Sequence, residues 1–335
     1  MEWLADVLAM PFLGKEAWVW LVFLGLVLTL LVLDLGVLHR PDPKTGSRRE
    51  IEVGESLVMS AGYMAVGLAF GAWVWHAMGR EAGINYLTGF VIEKSLALDN
   101  IFVISLIFTY FAVPRAYQHR VLFWGILGVI VLRGIMIGFG TALVQRFDWI
   151  MYLFGGFLLL TGVKMLWAAD KPAADLADNA VLGWLRRRLR VTACMDGDRF
   201  FKRIPTADGG RAQLWVTPLF LCLVLIELAD IVFAVDSVPA IFAITTDPYI
   251  VYTSNIFAIL GLRALYFALA AMMHRFVYLK YALSLILVFI GGKIFWTQLV
   301  GKPDPAISLG VTALLIAGGV GASLWRTRKL AESGS

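Results

Sequence analysis

The chain has 335 residues, of which 60% are hydrophobic and 16% charged. Soluble domains hold roughly 45–50% apolar and about 25% charged residues, and a surface cannot be covered from so small a polar store. The composition excludes an ordinary soluble enzyme, a disordered chain and, despite a net charge of +5, a nucleic-acid binder. It makes the lipid bilayer the chain's first partner.

A hydrocarbon core of about 30 Å needs about 20 apolar residues in a helix. On that rule the chain is all-α, a polytopic transmembrane helix bundle of about nine spans in one domain over 1–330. The first two spans, 17–38 and 56–78, make up the segment 17–78. Spans at 84–112, 121–144 and 149–168 fill 84–168. A basic loop covers 169–212. Spans at 214–243, 249–273 and 277–300 fill 214–300, and a last one occupies 305–325. The runs at 84–112 and 214–243 exceed the required length, which predicts tilting or breaks. The first residues show no cleavable signal pattern, so the first run is expected to stay as a helix.

The loop charges orient the chain. Arg40, Lys44, Arg48, Arg49, Arg115, Arg120, Lys280 and Arg326 join Arg186, Arg187, Arg188, Arg190, Arg199, Lys202, Arg203 and Arg211 of the long loop on one side. Only Lys15, Arg80, Arg146 and Lys302 face the other. The positive-inside rule puts the first side in the cytoplasm, with the N-terminus outside and the C-terminus inside. The long loop reads as a cytoplasmic linker; contact with anionic head groups or with protein partners is the sharper reading. Asp196-Gly197-Asp198 within it reads as a turn, since a calcium-binding EF-hand needs twelve patterned positions.

Eleven charges fall inside the spans. The acids are Asp34, Glu93, Asp99, Glu227, Asp230 and Asp236; the bases are Lys94, Arg133, Lys164, Arg263 and Lys293. Each costs at least about 2.5–3.5 kcal/mol near the bilayer centre, or about 30 kcal/mol for the set if it faced lipid. They must face one another, water or an ion. Buried salt bridges that hold helices in register account well for the bases. The acids are different, because they recur in matching segments. Glu93 is followed six residues later by Asp99-Asn100, and Asp230 six residues later by Asp236-Ser237. The next span holds Arg133 in one copy and Arg263 in the other; the span after ends on Lys164 or Lys293, 31 and 30 residues beyond the arginine. Spans 3–5 thus repeat as spans 6–8. Three spans apart, the copies are inverted, an arrangement that places transporter sites at the midplane.

On a helix Glu93 and Asn100 share a face, as do Asp230 and Ser237, whereas Asp99 and Asp236 lie about 120° away. Either the helix unwinds or the two acids of each helix meet different neighbours. Pro239 removes a hydrogen bond to the carbonyl of Val235; it reads equally as a carbonyl freed for a cation or as an ordinary kink. Carboxylate, amide, hydroxyl and carbonyl oxygens are hard donors suited to Mg²⁺, Ca²⁺ or Mn²⁺. The histidines, His39, His76, His119 and His274, sit at span ends, which disfavours zinc and haem. Cys194 and Cys222 form no CxxC and are too few for a disulfide framework. The chain is not expected to be an enzyme or to hold an organic cofactor.

At these residues the sequence resembles the TerC family of bacterial membrane proteins, close to its Alx branch and grouped with the LysE-type transporters. The resemblance rests on EKSLALDNIFV at 93–103, YQHRVLFWGILG at 117–128, DIVFAVDSVPAI at 230–241 and DPYIVYTSNIFAILGLRALYF at 247–267. It implies a multi-pass protein of the bacterial inner membrane that exports manganese, with Glu93, Asp99, Asp230 and Asp236 as the motif acids. The expected function is a proton-coupled secondary transporter with Mn²⁺ as its transported substrate. In that reading Asn100 and Ser237 assist the four acids. Asp34 and Glu227 are outer-shell or proton-relay groups, and Arg133, Arg263, Lys164 and Lys293 are counter-charges. Two other functions remain open. One is an envelope-stress or tellurium-resistance scaffold or redox modulator; the other is a Ca²⁺/H⁺ transporter using the same acids. Nothing in the residues speaks for tellurium chemistry.

Overall fold

A computed structural model describes residues 9–36, 53–147, 149–168, 180–205, 212–269, 278–301 and 303–333. A helix stands at each of the nine expected positions. After a short hairpin of β1 (Pro11–Phe12) and β2 (Lys15–Glu16) come α1 (Ala17–Gly36), α2 (Val53–Met78), α3 (Arg80–Tyr110), α4 (Arg115–Arg146) and α5 (Ile150–Ala168). The second half holds α7 (Pro218–Phe242), α8 (Pro248–Leu260), α9 (Leu262–Leu269), α10 (Leu279–Leu299) and α11 (Pro305–Ser333). Seven of the described helical segments are long and apolar enough to cross a membrane, α8 and α9 counting together, and Ala17–Leu33 is a shorter apolar one. The chain is an all-α multi-pass bundle.

Local chemistry sets the boundaries. Gly79, at φ +93, makes the sharp turn between α2 and α3, a conformation glycine adopts without strain. Pro218 and Pro248 each stand at a helix start, where the missing N–H has no partner to lose. Asp247 caps α8, its Oδ1 accepting from the Tyr249 amide at 3.0 Å.

Of the tilting or breaks expected of the long runs 84–112 and 214–243, breaks are absent: α3 is continuous over 31 residues, and α7 runs through Pro239 to Phe242. The break falls in the seventh span instead, at Gly261 between α8 and α9. There Lys94 Nζ donates to the Ala258 carbonyl at 3.0 Å, meeting the orphan carbonyls and negative end of α8. The basic loop is also more than a linker. It contains a short helix, α6 (Ala180–Arg188), and an antiparallel hairpin of β3 (Phe201–Ile204) with β4 (Gln213–Val216). Leu182 and Leu185 of α6 and Phe200 join Ile104, Phe108 and Leu219 in one buried cluster. Asp196–Asp198 does form a turn, with Gly197 at φ +58, and Arg120 of α4 pairs with Asp198 at 3.0 Å. The charges at 39–52, Lys171, Arg211, Arg275 and Lys302 lie outside the described residues, as do His39 and His274.

Helix α3 runs through the middle of the bundle, against α2, α7, α8 and α11. It packs on α8 while α4 packs on α7; α3–α7, α4–α8 and α5–α10 also meet. Aromatic rings fill the α1–α2–α8 side, with Phe23, Phe70 and Phe257 mutually within about 6 Å. The tightest pair is α5 with α10. A Cβ on Gly291 would lie 2.9 Å from the Gly155 carbonyl, and one on Gly162 would lie 2.9 Å from that of Ser284. The two backbones therefore touch, as small residues permit in membrane helices.

Candidate functional site

The centre of the bundle is organised around one cation. Arg133 of α4 is fully buried. Its Nη2 and Nε donate to the two oxygens of Asp230 in α7, at 3.0 and 3.3 Å. Such a bidentate pair is among the stronger protein hydrogen bonds. Its Nη1 donates to Glu93 of α3, to the Ser237 hydroxyl at 3.2 Å and to Asn255 Oδ1 of α8 at 2.6 Å. Asn255 Nδ2 donates in turn to Glu93 Oε2 at 3.4 Å, and Asn100 Nδ2 to Asp230 Oδ1 at 3.5 Å. Four helices converge on one guanidinium.

The shared faces read from the sequence are present. Glu93 and Asn100 line one cavity together, and Asp230 and Ser237 both meet Arg133. With α7 unbroken, its two acids meet different neighbours. Asp236 is half-buried and hydrogen-bonds Thr161 of α5, close enough to Lys164 to feel its charge. Asp236 nevertheless borders the same space, a cavity of about 50 Å³ lined also by Glu93, Asn100, Arg133 and Ser237. A second small cavity, about 30 Å³, lies beyond Asp230, with Asn100 and the buried Arg263 in its wall. Asn100 therefore sits between two spaces, and its Oδ1 is buried without a protein partner.

Glu227, one turn before Asp230, presses on α4 where Gly128 leaves room: a Cβ there would lie 2.0 Å from Glu227 Oε1. The other oxygen, Oε2, is buried without a partner. Lys293 is not brought to the Arg133 cluster; it lines a different cavity at the end of the bundle where α3 begins. The side chains of Asp34 and Asp99 lie outside the described residues. Among the described residues no three His, Cys, Asp or Glu side chains converge as a metal cage; the guanidinium stands between Glu93 and Asp230.

Sequence reasoning missed Asn255, which bridges Arg133 and Glu93, and Thr161, which holds Asp236. The available signal was the polar run Thr253-Ser254-Asn255 inside an apolar span. It has no echo in the other copy, where Gly125 stands eight residues before Arg133 as Asn255 stands before Arg263.

Comparison with known proteins agrees with the motifs. The family model "Integral membrane protein TerC family" matches residues 78–331. An uncharacterized membrane protein of Rickettsia bellii is 46% identical over 307 residues, covering 92% of this chain and 97% of its own. One of Myxococcus xanthus is 46% identical over 318 residues, 95% of each chain. The Escherichia coli (strain K12) "Putative membrane-bound redox modulator Alx" is 49% identical over 257 residues, covering 74% of this chain and 78% of that one. No solved structure matches. With the model spanning its two acidic motifs and the charged core between them, the chain belongs to the TerC family of integral membrane proteins.

Proposed function

We propose that this protein is a secondary transporter that exports a divalent cation, Mn²⁺, from the bacterial cytoplasm across the inner membrane in exchange for protons. One observation carries the reading: a buried guanidinium bridges the leading acid of both motif copies, Glu93 and Asp230. Two carboxylates at that depth need a cation. In this conformation a tethered one, Arg133, occupies the place. Cargo displaces it. Glu93, Asp230, Asp236 and Asp99 then receive the ion, Asn100 and Ser237 offer neutral oxygens, and Arg133 returns when the ion leaves. Glu227, whose Oε2 is buried without a partner, and Asp34 are the relay groups for protons. The pairing of α3 with α8 and of α4 with α7 supports two inverted copies, because exchanging the copies maps one pair onto the other. The charge distribution of the loops supports an N-terminus outside and a C-terminus inside. Manganese comes from the family resemblance; hard oxygens suit Ca²⁺ as well.

The test is flux into proteoliposomes holding only this protein. Mn²⁺ movement that is lost in Asp236→Asn and Asp99→Asn supports the assignment; movement equal to the parent's in both sinks the site. Excess Ca²⁺ separates the two cargoes by competition. The printed name of Alx favours a second reading, redox modulation. Cys194 is exposed and Cys222 buried, and both are free, so a variant with both changed to serine decides it. Undiminished Mn²⁺ flux in that variant supports transport.

A further inference from the structure

At the end of the bundle away from α6 and the β3–β4 hairpin lies a cavity of about 690 Å³. Its wall includes Glu81 and Asn85 of α3, Thr245 and Thr246 after α7, Lys293 of α10 and Asp304 before α11. No residue of the Arg133 cluster lines it. Among the described residues four charges line it: Arg80, Glu81 and Asp304 are exposed and Lys293 is half-buried. Exposed charges at its mouth open it to water, which also reaches the half-buried Lys293. Asn85 adds an independent sign: it is 7% exposed and its Oδ1 has no hydrogen-bond partner. A buried carbonyl oxygen at the edge of a roomy polar space calls for a donor in that space, a water or the shell of a hydrated ion.

Three helices lead from this cavity to the acids. From Asn85 to Glu93 on α3 is about 12 Å along the axis. From Ala243 to Ser237 on α7, and from Lys293 to Leu287 on α10, is about 9 Å each. The intervening layer is dry: Ile92, Leu158, Ala240, Ile290 and Ile294 are each 2% exposed or less and pack as one cluster.

We propose that this cavity is the outer antechamber of the ion path, a water-filled site for a hydrated divalent cation, shut from the acidic cluster by the plug of Ile92, Leu158, Ala240 and Ile290. The inference rests on the transport reading for its cargo and orientation. Asn85, Thr245, Glu81 and Asp304 offer oxygens to the water shell of the ion. Among the described lining residues Lys293 and Arg80 balance Glu81 and Asp304, so these four add no net charge to hold the ion.

The test labels single cysteines in a Cys194→Ser, Cys222→Ser background with a membrane-impermeant cationic methanethiosulfonate. Asn85→Cys and Thr245→Cys are expected to react from the outer face. Both are expected to react roughly 100-fold faster than Ile92→Cys, because thiol reactivity follows access to water. Labelling after denaturation checks that each thiol is present, and a monodisperse elution profile checks folding. Reaction of neither rim cysteine in folded protein removes the chamber. Reaction from the inner face alone reverses its orientation and overturns the proposal. Reaction of Ile92→Cys at the rim rate removes the plug. The readout needs no flux, so rim labelling with no Mn²⁺ movement would refute the transport reading and leave the chamber standing.

Discussion

Replacing Arg133 by glutamine tests whether the guanidinium stands in for a cargo ion. The change removes the positive end of three charge-assisted hydrogen bonds, two to Asp230 and one to Glu93, and leaves both carboxylates buried without a cation. Removing one partner of a buried pair costs about 3–5 kcal/mol, most of it the uncompensated charge left behind. For a chain this long, about 2 °C of melting temperature follows each kcal/mol, so Arg133→Gln should melt roughly 6–10 °C lower in detergent. A purely structural salt bridge would do the same. The discriminating measurement is the melting temperature against added Mn²⁺. With the guanidinium gone its place is open to cargo, and a ligand at 100 times its Kd returns about 2.7 kcal/mol. Arg133→Gln should therefore recover more than half of its loss as Mn²⁺ rises, whereas the parent shifts less because the ion must first displace the arginine. A variant that stays destabilised at every Mn²⁺ concentration would refute the reasoning; so would one as stable as the parent without metal.

Other substitutions separate packing from charge. Gly128→Ala drives a methyl into Glu227 and should lower stability by about 1–3 kcal/mol through overpacking; Glu227→Ala in the same chain should restore it, as chemical denaturation in detergent would report. Asn255→Ala leaves Arg133 Nη1 and Glu93 each short of a partner, a loss of about 1–3 kcal/mol, with reduced Mn²⁺ flux as the second readout. Gly291→Ala forces α10 off α5 and should cost about 1–3 kcal/mol in the same assay. Asp198→Ala breaks a half-exposed pair with Arg120 and should move the melting temperature by no more than the equivalent of about 1 kcal/mol.

The helices were legible in the sequence because apolar length is dictated by the bilayer. The shared face of Glu93 with Asn100, and of Asp230 with Ser237, followed from helical period alone. What escaped was set by three-dimensional neighbours. The break at Gly261 has no proline to announce it; it is held by Lys94, a residue 164 positions away from its acceptor at Ala258. Asn255 acts only because α8 lies against both α3 and α4. Lys293 matched Lys164 in spacing, yet spacing does not say which acid a base will meet. The β3–β4 hairpin was hidden by its charge. Lys202 and Arg203 read as loop, while the apolar residues beside them are too few to signal a strand.

Lys94 follows Glu93 directly in α3. One side chain holds the guanidinium and the next holds the exposed end of α8. A rotation of α3 that draws Glu93 away from Arg133 also pulls Lys94 off the Ala258 carbonyl, freeing the seventh span to bend at Gly261. On the transport reading proposed above, ion exchange and helix bending become two ends of a single lever, its fulcrum a pair of adjacent residues. An uncharged side chain at position 94 would leave the Ala258 carbonyl without its donor while the Glu93–Arg133 pair stays in place.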